Sequence, residues 1–126
     1  MIKLLRRHLL QNKELISLLS NNQSIYHMEK PLKYNDDTYI VLKDKLISGY
    51  FIEEYQLTFH IISSDMNKTV EIEKELISYL NDPRGEKLIR DNDTYIRNIQ
   101  VLRGGGRIYN QDKDNWMSVV YFLCKI

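Results

Sequence analysis

Cysteine is almost missing from this chain. Cys124 is the only one in 126 residues, so no intramolecular disulfide and no thiolate-bound zinc cluster can form. That usage fits a protein folding in a reducing cytosol. Long apolar runs are missing as well. The opening segment "MIKLLRRHLLQNKELISLLS" has leucines and basic residues, but Arg6, Arg7 and His8 interrupt it, and Lys13 and Glu14 follow closely. It is expected to be neither an export signal nor a membrane span. Charge of one sign is not in excess either. The formal net charge is +1, so no global field draws the molecule toward nucleic acid or a membrane. His8, His27 and His60 lack the spacing of metal ligands, and neither a metal nor a cofactor is expected. No internal repeat or low-complexity segment is present.

What remains is the composition of an ordinary soluble protein, 43% hydrophobic and 28% charged, of a length expected to form a single domain over residues 1–126. Tyrosine outnumbers phenylalanine nine to three. A tyrosine buries an apolar ring while keeping its hydroxyl wet, which suits half-buried sheets and interfaces.

Hydrophobic periodicity supplies the architecture. Residues 2–20 place Ile2, Leu5, Leu9, Ile16 and Leu19 at helical spacing, with a break near Asn12, a residue able to cap a second short helix from Lys13. Residues 25–37, with Pro31 and "NDD", read as an irregular arm, and "TYIVLKD" as a short buried strand. In "YFIEEYQLTFHIISS", Phe51, Tyr55, Leu57, Phe59 and Ile61 share one face while Glu54, Gln56, Thr58 and His60 share the other. This alternation marks a long strand buried on one side, with Glu53 as its misfit. A helix follows over "SDMNKTVEIEKELISYLND", with Asp65 or Asn67 as cap and Met66, Val70, Ile72, Leu76, Ile77 and Leu80 inward; "PRG" stops it. "TYIRNIQVLR" and "NWMSVVYFLCKI" are two more strands, turning at "NQDKDN". The expected fold is α+β: a mostly antiparallel four-stranded sheet with two main helices on one face, in the order α-β-β-α-β-β.

Three consecutive glycines, Gly104, Gly105 and Gly106, lie in or beside the first strand of that last hairpin. A phosphate-binding loop opens onto a helix and carries Lys-Ser or Lys-Thr; here "RIYNQD" follows. Glycine within a strand signals a bulge, a bend or a close backbone approach, so a bent or mobile hairpin is expected. Cys124 sits in a dense apolar run and reads as a small core residue. Glu53 and Glu54 point to opposite faces and cannot act as an acid/base pair. No nucleophile with a base and an orienting group is visible, so no catalytic residue is assigned and the chain is not expected to be an enzyme. Lys3, Arg6, Arg7 and Lys13 form a basic helix side, the one feature that suits a small nucleic-acid-binding module; a solvated face is the simpler account, because no aromatic platform interleaves the charges.

The order of these pieces resembles the tail-terminator (tail completion) proteins of long-tailed bacteriophages. The resemblance rests on Ile25 and Tyr26, Pro31, the run Tyr39, Ile40, Val41 and Leu42, the strand over 51–62 and the helix ending near Leu80; relatives often carry proline where Thr38 stands. It implies a structural virion protein, without enzymatic activity or cofactor. Such a protein assembles in the host cytoplasm into a homo-oligomeric ring, commonly hexameric, in the tail-neck region. The ring caps the tail tube, stops its polymerisation and offers a surface for head-tail joining. The implied partners are further copies of the chain, the tail tube protein and the head connector or neck protein. A head-completion or neck protein of the same small α+β type is the alternative. The family supplies no contact residues. The glycine segment and the adjoining turn therefore give the expected ring or tube contacts: Arg103, Gly104, Gly105, Gly106, Arg107, Asp112, Lys113, Asp114 and Trp116.

Overall fold

The computed structural model describes every residue except Tyr50, Leu88, Arg103 and Gly104. The N-terminal leucine pattern forms two helices, α1 (Ile2–Leu10) and α2 (Lys13–Leu18). Asn12 divides them as its chemistry suggests. Its side-chain oxygen accepts from the N–H groups of Glu14 and Leu15, at 3.1 and 3.3 Å, which satisfies two donors that a helix start leaves unpaired. Its amide also donates to Glu75 at 2.8 Å, tying the break to the third helix.

The remaining elements are β1 (Ile25–His27), β2 (Tyr39–Gly49), β3 (Glu53–Ser63), α3 (Met66–Leu80), β4 (Ile89–Arg90), β5 (Tyr95–Ile96), β6 (Asn98–Val101), β7 (Gly106–Asn110) and β8 (Asn115–Lys125). The main sheet has six strands rather than the expected four, in the order β1-β2-β3-β8-β6, with β7 also paired to β8; β4 and β5 form a separate pair. β1 runs parallel to β2, and every other neighbour in the main sheet is antiparallel. The additions are short strands. β1 lies in the expected irregular arm, and the expected strand over "TYIRNIQVLR" divides into β5 and β6 at the exposed Arg97. The three helices, rather than two, follow from the break at Asn12.

The core lies under one face of the sheet. Leu57, Phe59 and Ile61 of β3 are fully buried, as the alternation requires. They meet Leu5, Leu9 and Leu15 of the first two helices, Ile72, Leu76 and Leu80 of α3, and Val120, Phe122 and Cys124 of β8 in one cluster. Phe59 and Phe122 pack edge to face with centroids 5.4 Å apart. Of the expected inward residues, Val70 is only partly covered and stands outside the core cluster, with Thr69 buried in its place, and two more are exposed. Phe51 precedes β3 and is 89% exposed, because β2 runs on to Gly49 and β3 starts only at Glu53. Met66 opens α3 outside the packed face and is exposed. Asp65 is the cap of α3, accepting from Asn67 N–H at 2.9 Å. Glu54 pairs with Lys125 at 3.6 Å, and Glu53 accepts from the Tyr55 hydroxyl at 2.8 Å.

The sheet edges are sealed over only part of their length. β1 pairs with β2 at Ile40, Val41 and Leu42 and goes no further. On the opposite side, Asp82 exchanges backbone hydrogen bonds with Ile99 at 2.7 and 3.3 Å, and the Asn81 side chain accepts from Val101 N–H at 3.1 Å, which closes β6. Residues 43–49 of β2 and all of β7 pair with a strand on one side only among the described residues.

Candidate assembly surfaces

The glycine segment marks where the edge strand beside β8 breaks in two. Val101 pairs with Phe122 and Gly106 with Val119, so the register of the edge against β8 shifts by two residues across this break. Gly105 shows why a glycine stands there. Its φ is +91°, and a Cβ on it would lie 1.7 Å from the Val119 carbonyl oxygen. A side chain is excluded by close approach as well as by backbone conformation. Of the strand features that such a glycine signals, Gly105 shows the close backbone approach. Gly106, at φ +136°, has open space around it. Arg103 and Gly104, both expected at the contact, lie outside the described residues.

Arg107 belongs to β7 and turns toward the helix side, where its guanidinium pairs with Glu73 of α3. The same Glu73 oxygen accepts from the fully buried Ser118 hydroxyl at 3.1 Å. Arg107, expected at a ring or tube contact, therefore already pairs with an acid of its own chain. The turn at residues 111–114 sits where the Asn- and Asp-rich stretch placed it. Asn110 builds it by accepting from the N–H groups of Asp112 and Lys113 at 3.1 and 3.3 Å. Asp114 adopts φ +49° and accepts from the Tyr109 hydroxyl, and Tyr109 lies against Trp116 at 5.0 Å between ring centres. The hydrogen bond comes first, and burial second, among the causes that raise the Tyr109 phenol above its ordinary value. Asp112, Lys113, Asp114 and Trp116 therefore gather at the turn end of the hairpin, whereas Gly105, Gly106 and Arg107 lie at the other end of β7, beside Val119 and Ser118, so the expected contact residues fall into two groups. Beside that hairpin, on the face away from the helices, Tyr39, Ile62, Ile108 and Met117 line an open groove of about 540 Å³.

Sequence reasoning missed two apolar projections. The β2–β3 tip exposes Leu46, Ile47, Phe51 and Ile52, and the loop after β1 presents Leu32 at 100% exposure. Only the apolar letters of "LISGYFIEEY" hinted at the first, and strand alternation absorbed them. The base of the second is fixed. Asp36 accepts from the Asn21 amide at 3.2 Å, the Ser24 hydroxyl at 2.9 Å and the Tyr26 hydroxyl. Burial, then that carboxylate, pushes the Tyr26 phenol up to about 12. Tyr26 also stacks on Tyr34 and meets Tyr39 edge-on, so three of the nine tyrosines serve one cluster.

The residues considered for chemistry or nucleic acid lie apart or are already engaged. His60 pairs with Val119 on the face away from the helices, while Cys124 is buried on the opposite face, so the two cannot share a site. Burial pushes the Cys124 thiol up to about 12, an inert state for a nucleophile. Arg6 donates through Nε to the Ile25 carbonyl at 2.7 Å, and Arg7 pairs with Asp91 at 3.6 Å. Arg6 and Arg7 therefore hold other parts of the chain, and Lys13 opens α2 rather than sharing the α1 side with Lys3. Among the described residues no group of three or more His, Cys, Asp or Glu is arranged to hold a metal ion, and no helix is long and apolar enough to cross a membrane.

No family model matches the chain, and no curated protein does. Among solved structures, its fold is similar to that of a chain in the virion of a native gene transfer agent (GTA) particle, with a TM-score of 0.69 at 14% sequence identity; the match covers 94% of this chain and 88% of that one.

Proposed function

We propose that this chain is a structural virion protein of the tail-terminator type. Copies form a ring that caps the tail tube, stops its polymerisation and presents a surface for head-tail joining. The observation that carries the proposal is the likeness of nearly the whole fold to a chain of a gene transfer agent virion, over 94% of this chain and 88% of that one. The order of elements that resembles tail terminators points to the same kind of particle. In this proposal the protein has no catalytic residue and needs no cofactor, and its place in the virion is the tail-neck region. The end of the β7–β8 hairpin, with Asp112, Lys113, Asp114 and Trp116, faces the tube or the ring lumen. The fixed turn suits that role, since a preordered loop loses little entropy on docking.

Electron microscopy of the purified protein mixed with isolated tail tubes is the test. Rings seated on tube ends are expected, with tubes no longer elongating. Decoration of isolated heads or connectors instead would place the protein in the neck, and protein that binds neither part would end the proposal. Nucleic-acid binding predicts an affinity falling steeply with salt and lost when Lys3, Arg6 and Arg7 are neutralised. With Arg6 and Arg7 already engaged, no such binding is expected at low salt.

A further inference from the structure

The two open strand edges lie at diagonally opposite corners of one sheet. β1 seals the start of β2, and Asn81 with Asp82 seals β6, which leaves 43–49 of β2 at one corner and β7 at the other. Every residue of β7 is exposed, and within 43–49 only Asp44 is partly covered. The backbone of β2 shows which groups point outward. Ile40 N–H donates to the Ser24 carbonyl at 2.9 Å, and the Leu42 carbonyl accepts from Met28 N–H at 2.9 Å, both away from β3. By the same alternation, the N–H and C=O of Asp44 and Leu46 face out at an edge where, among the described residues, no strand pairs.

We propose that the 43–49 edge of one copy pairs with the β7 edge of the next, continuing the sheet across the subunit boundary; this rests on the ring assembly proposed above. Direction permits it. β2, β3, β8 and β7 alternate in sense, so β7 of one copy meets β2 of its neighbour antiparallel. Antiparallel pairing carries Lys43 and Lys45 toward the end of β7, where Asp112 and Asp114 stand. Lysines on an edge ordinarily deter pairing. Here they face acids of opposite sign, and they share the edge with Leu46 and Ile47, which are 53% and 51% exposed. A guarded edge does not carry such residues. The two patches differ, so the contact is head to tail and generates a closed ring or an open array rather than a two-fold pair. The diagonal placement makes each copy step along the strand direction, the stagger that tilts strands in a closed sheet. Main-chain hydrogen bonds supply the affinity, and the charged ends fix the register.

The test uses the full chain. Lys45→Cys and Lys43→Cys, each combined with Ile108→Cys, place thiols on the face away from the helices, and Cys124 is too buried to compete. A short bismaleimide is expected to give a ladder of covalent multimers ending at the ring. Mixing the lysine-site and Ile108 single variants is expected to give two-copy products only. Leu46→Pro removes an outward N–H and no bond within the chain's own sheet, so its denaturation midpoint should hold while ring assembly is lost. If Leu46→Pro still forms rings and neither double variant cross-links, the edge contact is wrong and the ring closes through another surface. A double variant that stops at two copies also overturns it. If the wild-type protein never forms rings, alone or on tube ends, the proposed function fails first and this contact fails with it.

Discussion

Leu42 and Leu46 lie four residues apart on the same strand, and both side chains project toward the helix side. Leu42 is 1% exposed, and Leu46 is 53% exposed. The difference is what surrounds them. Leu42 stands opposite Phe59, with β1 on its other flank and helices above. Leu46 stands opposite Tyr55, beyond the reach of both. One half of β2 is therefore committed to folding, while the other half extends past the core. The strand is longer than its own domain requires.

Shortening each leucine breaks or sharpens this comparison. Leu42→Ala opens a cavity in the core and should cost about 2–5 kcal/mol in urea denaturation. Gly105→Ala tests the second region built by close backbone approach. Forcing a Cβ against Val119 at a positive φ should cost about 1–3 kcal/mol, with amide exchange accelerating first along β7. An unchanged midpoint would mean that the hairpin shifts without penalty. A smaller effect concerns acid. Burial, then Lys87, lowers the His8 imidazole below its ordinary value; burial, then Lys43, does the same for His60. Each resists protonation more in the folded protein than in the unfolded chain, so the stability they contribute is present above the unfolded value of about 6.5 and is lost as pH falls from there through the lower folded value. The denaturation midpoint should be flat above the unfolded value and decline below it. His8→Phe keeps the ring stacked on Tyr79, 4.6 Å away, and should flatten part of the decline; an unaltered profile would remove His8 from the account. The smallest effect is Leu46→Ala, expected within about 0.5 kcal/mol of the parent.

Where one side of an element met the core, its letters were enough. Leu57, Phe59 and Ile61 alternate because one face of β3 is dry, and Ile72, Leu76 and Leu80 recur because one stripe of α3 lies on that face. Asn12 and Asn110 were readable as a cap and a turn, since each acts on backbone within a few residues of itself. Pairings between distant segments left no such mark. β1 is three residues long and is defined only by its partner in β2. The letters of "TYIVLKD" indicate a strand only to Asp44, so the exposed half of β2 leaves no mark, and the alternation of the next strand draws Phe51 inward. At the candidate site, the turn and the close backbone approach at glycine are legible. The partner of Arg107 is not, because Glu73 is 34 positions away on another element.

That ion pair has a mechanical consequence. Glu73 grips Arg107 on the outermost strand and Ser118 on the strand within, from the surface of a helix. A pull on the rim at β7 therefore loads the α3 side chain directly, and peeling the rim away means parting a charge pair as well as a ladder of amides. The weakest margin of the sheet is riveted to its roof.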